Sequence, residues 1–357
     1  MKPLIAAVLL LAPMTLAAQT NDKAEQSFCQ FTMEQAMAQR DLLRTPSLTT
    51  GPVDPSGGTP PQMVVGVTSS IGDIRKAGRT MDVGRATCAL YTTATEAQMK
   101  IFYALPSLEK EVLKHRLVLI EDATTRLDGL ITDNMKSVEA QDLTAPALYS
   151  LQNAKVRLDT SRTAALTGLA SPYVPPTSDR PLRDLVSEKL AAEGKFAESS
   201  ARLAKQSAWD IKLSGGAHEQ LGSTTTAPGT TTTNRGPYAE FNFTYNFGRK
   251  AVDKHLDKSV TAYNEWKSTQ FDDVAQQAYV LRRQIEDTIT AQQQELLVLH
   301  KHDAEIETSL RSLDGVDTAS ALAFRNELIA DQTVLRVDIE DIEFRVGQLK
   351  TYVVENF

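Results

Sequence analysis

The sequence predicts a mainly α-helical chain with a small β part, built as a duplicated repeat of helix, β-hairpin, long helix and helix. Three observations predict it. Residues 239–247 (AEFNFTYNF) alternate strictly, with Phe241, Phe243, Tyr245 and Phe247 on one side and Glu240, Asn242, Thr244 and Asn246 on the other. That is the period of a strand lying between two unlike solvents. From Arg249 to Phe357 there is no proline and only Gly315 and Gly347, which reads as long helices. The same order of segments also occurs twice. Ser70-Ile71-Gly72 and Arg75-Lys76-Ala77 match Asn246-Phe247-Gly248 and Arg249-Lys250-Ala251, while TAPAL (144–148) matches TASAL (318–322). The shared order and nearly constant offset identify a duplication.

Residues 1–18 (MKPLIAAVLLLAPMTLAA) have one Lys, an apolar run and small residues at Ala17 and Ala18, the composition of a secretory signal peptide. The first repeat covers 19–170. It opens with a helix over 22–42, followed by TPSL (45–48), a turn-rich PVDPSGGTPP (52–61) and a strand over 62–72 that puts Met63, Val65 and Val67 on one face. Apolar residues at steps of three and four (Ile101, Leu105, Leu108, Val112, Ile120) carry a helix from Asp73 to about Ala140. Pro106, followed by Ser107 and Glu109, is expected to kink or restart it. A second helix spans about 143–169, and the Pro-rich 171–181 is a linker.

The second repeat covers 182–357. Leu182–Gln206 is helical, and 207–220 is a strand with Trp209, Ile211 and Leu213 on one face. The Thr-rich 222–237 is a low-complexity loop before the aromatic strand. One helix then runs from Arg249 to about Leu313, with a turn at 313–317 and a return helix. Each long helix is expected to reach roughly 100 Å at 1.5 Å per residue.

Bulk properties exclude several classes. Beyond the signal no run of eighteen apolar residues occurs, so no α-helix is expected to span a bilayer; alternating β-barrel strands would not register in such a count. A net charge of −7 leaves no footprint for nucleic acid. No phosphate loop, metal-spaced Cys/His set or nucleophile–base grouping appears, so neither enzyme activity, a cofactor nor a metal is expected. His300 and His302 point to different faces of a helix and read as solvated surface. The only cysteines, Cys29 and Cys88, lie in a chain addressed to an oxidising compartment, where a disulfide is expected. Two buried, unpaired thiols are the alternative.

Both helices flanking a hairpin leave from the same end of it. Two hairpins give four strands, too few to close a barrel, and lipid cannot satisfy the bare N–H and C=O groups of an open edge. Several chains must therefore pool strands into a short membrane barrel continued by a helical barrel. Its lipid-facing positions are Trp209, Ile211, Leu213, Phe241, Phe243, Tyr245 and Phe247, with Trp209 and Tyr238 near strand ends suited to an interfacial aromatic girdle. A soluble sandwich core is the competing reading of these aromatics, although no second sheet is available to cover them.

The order of TPSL (45–48), NFGRKA (246–251) and the turn RSLDGVDTASAL (311–322), set in this twofold plan, resembles the TolC family of outer-membrane channel proteins. The resemblance implies a homotrimer forming a membrane barrel and a periplasmic helical tunnel, held in outer-membrane lipid. It implies a passive exit duct for small-molecule efflux or type I secretion, working with a periplasmic adaptor (membrane fusion protein) and an inner-membrane transporter. By the same resemblance Arg311, Asp314, Gly315, Val316, Asp317 and Thr318 form the tip that the adaptor contacts, and 139–144 (EAQDLT) is the corresponding tip of the first repeat. Where the family often carries acidic residues after the tip, this chain has Ala321 and Phe324, which implies an apolar constriction instead. The alternative function is a periplasmic coiled-coil adaptor or scaffold without a pore.

Overall fold

The structure, a computed structural model, describes residues 21–53, 62–139, 145–170, 178–205, 209–220, 224–225, 231–232, 235–245, 247, 249–268, 273–316 and 318–357. The expected signal peptide (1–18), the expected first-repeat tip beyond Glu139, most of the expected linker, and Asp317 lie outside the described residues. The chain divides into two compact units, Met1–Thr95 with Ser187–Asp273, and Glu96–Val186 with Val274–Phe357.

The first unit holds the β part. Strands β1 (Ser47–Val53), β2 (Gln62–Ser70), β3 (Trp209–Gln220) and β6 (Arg235–Tyr245) form one antiparallel sheet in the order β1-β2-β3-β6. The two hairpins, one from each repeat, are therefore joined edge to edge through β2 and β3, with Ser69 opposite Leu213 and Gly66 opposite Gly216. Pro52 and Pro237 both fall on the outer strands β1 and β6, where a missing N–H breaks no ladder bond. Inside the stretch expected to be only loop, β4 (Thr224–Thr225) pairs with β5 (Thr231–Thr232).

Helices α1 (Asn21–Arg44), α2 (Ile71–Glu139), α4 (Leu182–Ala204) and α5 (Arg249–Ser268) lead to or from these strands. Cys29 of α1 is disulfide-bonded to Cys88 of α2, and the Phe28 and Tyr91 rings stack beside the bond at 4.0 Å. Lower on the same pair, a Cβ at Gly84 would stand 2.8 Å from the Ala36 Cβ, so glycine is what lets the helices approach. At the other repeat, the Arg79 guanidinium donates to the carbonyls of Arg202 (2.8 Å) and Lys205 (2.6 Å). It thereby satisfies acceptors that the end of α4 leaves open.

The second unit is helical. α3 (Ala145–Leu169), α6 (Val274–Ser312) and α7 (Ala319–Asn356) join the later part of α2 and the start of α4. One core cluster packs Ile120, Ala123 and Leu127 of α2 with Leu151, Ala154 and Leu158 of α3 and Ala330 and Val337 of α7. A second packs Ala104 of α2 and Leu182 of α4 with Ala278, Leu281 and Ile285 of α6 and Leu349 of α7. Arg116 of α2 ties the layer together by donating to Ser161 (3.1 Å), Asp338 (2.8 Å) and the buried Asp341 (2.7 Å).

Four expectations are corrected. Pro106 does not restart the helix but lies inside an unbroken α2, where Ile101, Ala104, Leu105 and Leu108 pack into one core on both sides of it. Conversely, the helix expected over 249–313 is two elements, α5 ending at Ser268 and α6 starting at Val274. The buried Asp273 just before α6 is paired there with Lys189 of α4, a long-range tie with no trace in local propensity. Phe247 is not in the strand: β6 ends at Tyr245, opposite Trp209 where β3 begins, and Phe247 follows in a turn. Tyr238 does not share the aromatic face. It lies opposite Gly216, on the other side of the sheet.

Candidate membrane-facing sheet and helical tip

Register and pleat settle which side chains share a face. Residues directly opposite in an antiparallel pair point the same way, so Tyr245, Phe243 and Phe241 of β6 fall beside Trp209, Ile211 and Leu213 of β3. The same face continues through Val67, Val65 and Met63 of β2 to Leu48 of β1. Phe241 is 63%, Leu213 50%, Val65 53% and Leu48 73% exposed. Trp209 is described in its backbone position only.

The opposite face carries Thr49, Thr68, Ser214, Lys212, Glu240, Asn242 and Thr244. Its hydroxyls are linked across strands, Thr49 with Thr68 at 2.8 Å and Thr68 with Ser214 at 2.9 Å. On β2 the apolar positions Met63, Val65 and Val67 are exposed, while Val64, Gly66 and Ser70 of the opposite face are buried. An ordinary half-buried sheet hides its apolar side; this one is inverted. The apolar face runs over nine residues of β3, from Trp209 to Ala217, the length that a tilted strand needs to cross the hydrocarbon core. At its outer end it is closed by the Glu219–Arg235 pair, in register across β3 and β6 and bonded at 2.9 Å.

The sheet is joined to α2 by a cap. Ser70 accepts the Asp73 N–H at 3.1 Å and donates to Asp210 of β3, whose carboxylate also accepts the Gly72 N–H at 3.0 Å. A Cβ at Gly72 would stand 2.7 Å from that carboxylate oxygen, so the glycine makes room for it.

The turn between α6 and α7 is closed from both sides. Gly315 has φ +78°, a conformation that other residues rarely adopt. The Val316 N–H donates to the Leu313 carbonyl, and the Thr318 hydroxyl caps α7 by accepting the Ala321 N–H at 3.2 Å. Arg311 and Asp314 are largely exposed and Val316 is partly so. Of the two residues expected at a constriction, Ala321 is buried within its own unit and Phe324 is half-exposed. Sequence reasoning missed Arg325, which reaches back from α7 to the Leu313 carbonyl (3.1 Å) and the Asp314 carboxylate (2.9 Å). Above the turn, burial works to raise the Asp303 carboxyl, but bonds from Gln332 and Arg336 outweigh it and hold the group below its ordinary value.

Among the described residues no His, Cys, Asp and Glu cluster is arranged to hold a metal ion, and no helix is long and apolar enough to cross a membrane.

No protein-family model and no curated protein matches this chain. Among solved structures it is similar to a membrane protein from Pseudomonas aeruginosa, at 13% identity over 95% of this chain and 88% of that one, with a TM-score of 0.45. It is similar to the outer membrane protein VceC from Vibrio cholerae, at 12% over 94% and 93%, TM-score 0.42. The MtrE outer membrane channel of Neisseria gonorrhoeae follows, at 15% over 93% and 85%, TM-score 0.39. Likeness at these values carries no function across, and the chemistry of the sheet itself has to supply one.

Proposed function

We propose that this chain is one subunit of an outer-membrane exit channel, in which several copies pool their sheets into a membrane barrel and their helices into a periplasmic tunnel. The observation that carries the reading is the inverted sheet. An apolar face exposed on all four strands, backed by a mainly polar face, matches a wall with lipid outside and water inside. In water that face would be an aggregation surface. The outer strands β1 and β6 have one open edge each, and in lipid those edges require neighbouring copies.

The helical unit supports the same assembly. α7 packs between α6 and α3, and both flanking helices carry exposed apolar side chains, Leu297 and Val298 on α6 and Tyr149 and Val156 on α3. A head-to-tail ring of copies would cover them. By the family resemblance the ring has three members, and the turn around Gly315 and Val316 meets a periplasmic adaptor serving an inner-membrane transporter. Solutes pass without a bond being made or broken. A pore-free periplasmic scaffold accounts for the long helices and leaves the inverted sheet unexplained.

Purified protein added to planar lipid bilayers is expected to give discrete conductance steps and, in cell envelopes, to stay with outer membranes through a urea wash. Absence of conductance together with full recovery in the periplasmic fraction would refute the channel.

A further inference from the structure

The apolar face does not stop where the sheet stops. Phe247, in the turn beyond β6, is 89% exposed, and its ring meets that of Tyr245 edge-on at a centroid distance of 4.8 Å. Three helices that meet the sheet carry a further exposed apolar residue within two turns of it, Leu42 on α1, Ile74 on α2 and Val252 on α5. Two turns of helix amount to roughly 11 Å. Interleaved with these are cations. Arg44 is the last residue of α1, and Lys76 and Lys254 lie in the second turns of α2 and α5. Arg44 and Lys254 are exposed and Lys76 partly so, and none of the three has a carboxylate partner among the described residues. Each cation has an aspartate one helical turn away, Asp41, Asp73 and Asp257 in turn, without a bond to it among the described residues, and all three cations stand beside the exposed apolar collar.

We infer that this collar is a lipid site. The helix-side membrane boundary falls below the sheet, at the first turns of α1, α2 and α5, where Phe247, Leu42, Ile74 and Val252 enter the acyl boundary and Arg44, Lys76 and Lys254 bind the phosphates of anionic phospholipids. Apolar contact continuous with the sheet face sets the depth, and charge sets the choice of headgroup, each cation near an anionic surface adding to the affinity. The inference rests on the membrane reading of the sheet.

Its test uses the full chain with Trp209 and Trp266, the only tryptophans, replaced by Phe, carrying either Phe247→Trp or Phe243→Trp. The protein is reconstituted in vesicles with acyl chains brominated near the headgroup or near the bilayer centre. Shallow bromine is expected to quench the Phe247→Trp reporter and deep bromine the Phe243→Trp reporter. Quenching of Phe243→Trp alone would put the boundary at Tyr245 and overturn the collar while leaving the membrane reading intact. Quenching of neither would remove the membrane reading and the collar with it.

For the headgroup, native mass spectrometry of the detergent-solubilised assembly compares retention of phosphatidylglycerol and phosphatidylcholine. The preference for phosphatidylglycerol is expected to fall about fivefold for each cation removed in Arg44→Gln/Lys76→Gln/Lys254→Gln. Equal retention of the two lipids by the unaltered protein, or a preference that survives the triple substitution in a protein with unchanged circular dichroism, overturns the headgroup assignment.

Discussion

The Asp210 carboxylate of β3 accepts the backbone N–H of Gly72 at the start of α2, across 138 residues of sequence. It fills the place that an N-cap side chain normally takes, while Ser70 caps the same helix one residue further in. A strand of the second repeat thereby aims the long helix of the first. Asp210→Ala is expected to cost about 1–2 kcal/mol and Asp210→Asn less, because the amide oxygen still accepts. Thermal unfolding in detergent checks both.

The Cys29–Cys88 bond closes a loop across 59 residues that contains the whole first hairpin. Chain-entropy reasoning puts its contribution at roughly 4 kcal/mol. Titration of the denatured, unreduced protein is expected to find no free thiol. Cys29→Ser/Cys88→Ser is expected to lower the unfolding midpoint markedly while leaving the sheet's circular dichroism signal in place.

Lys189 holds two carboxylates at once, Glu193 at 2.8 Å and Asp273, with all three side chains more than nine-tenths buried. Lys189→Met would leave two buried acids without their ammonium, at a cost of about 3–5 kcal/mol. Adding Asp273→Asn is expected to recover part of that loss. Denaturant midpoints of the single and double variants measure the coupling; strictly additive losses would contradict it.

Burial pushes the Tyr352 phenol up to about 12, and its hydroxyl has no partner among the described residues. With the folded value above the unfolded one, near 10, the folded state holds its proton longer. The stabilisation is complete below pH 10 and is lost as pH rises through about 12. Tyr352→Phe is expected to flatten this alkaline loss and, by removing an unpaired buried hydroxyl, to stabilise the protein by about 1 kcal/mol at neutral pH. Unfolding midpoints between pH 8 and 12 give the comparison.

Much of the fold was legible because its signals are periodic. Phe241, Phe243 and Tyr245 announce a two-faced strand. The apolar steps through Ile101, Leu108 and Ile120 announce a helix that runs from Ile71 to Glu139, and Gly315 marks a turn whose φ requires it. Phe247 misled because the alternation continues one pair beyond the ladder: pattern records which way a side chain would point, and pairing decides where the strand ends. The turn at 313–316 could be read from Gly315, but Arg325 could not, since an arginine on a helix surface looks the same whether it clamps a carbonyl or faces water.

By itself the sequence determined the duplication, the helical and strand periods, and the separation of apolar from polar faces, all properties of neighbours a few residues apart. Only the tertiary structure decided that the two hairpins form one sheet, that Asp210 caps α2, and that the helix expected over 249–313 breaks beside Asp273. It also decided that the aliphatic face of β2 lies level with the aromatic face of β6. These are pairings between residues far apart in the chain, selected by the free energy of the whole packed arrangement, and no local pattern encodes the partner.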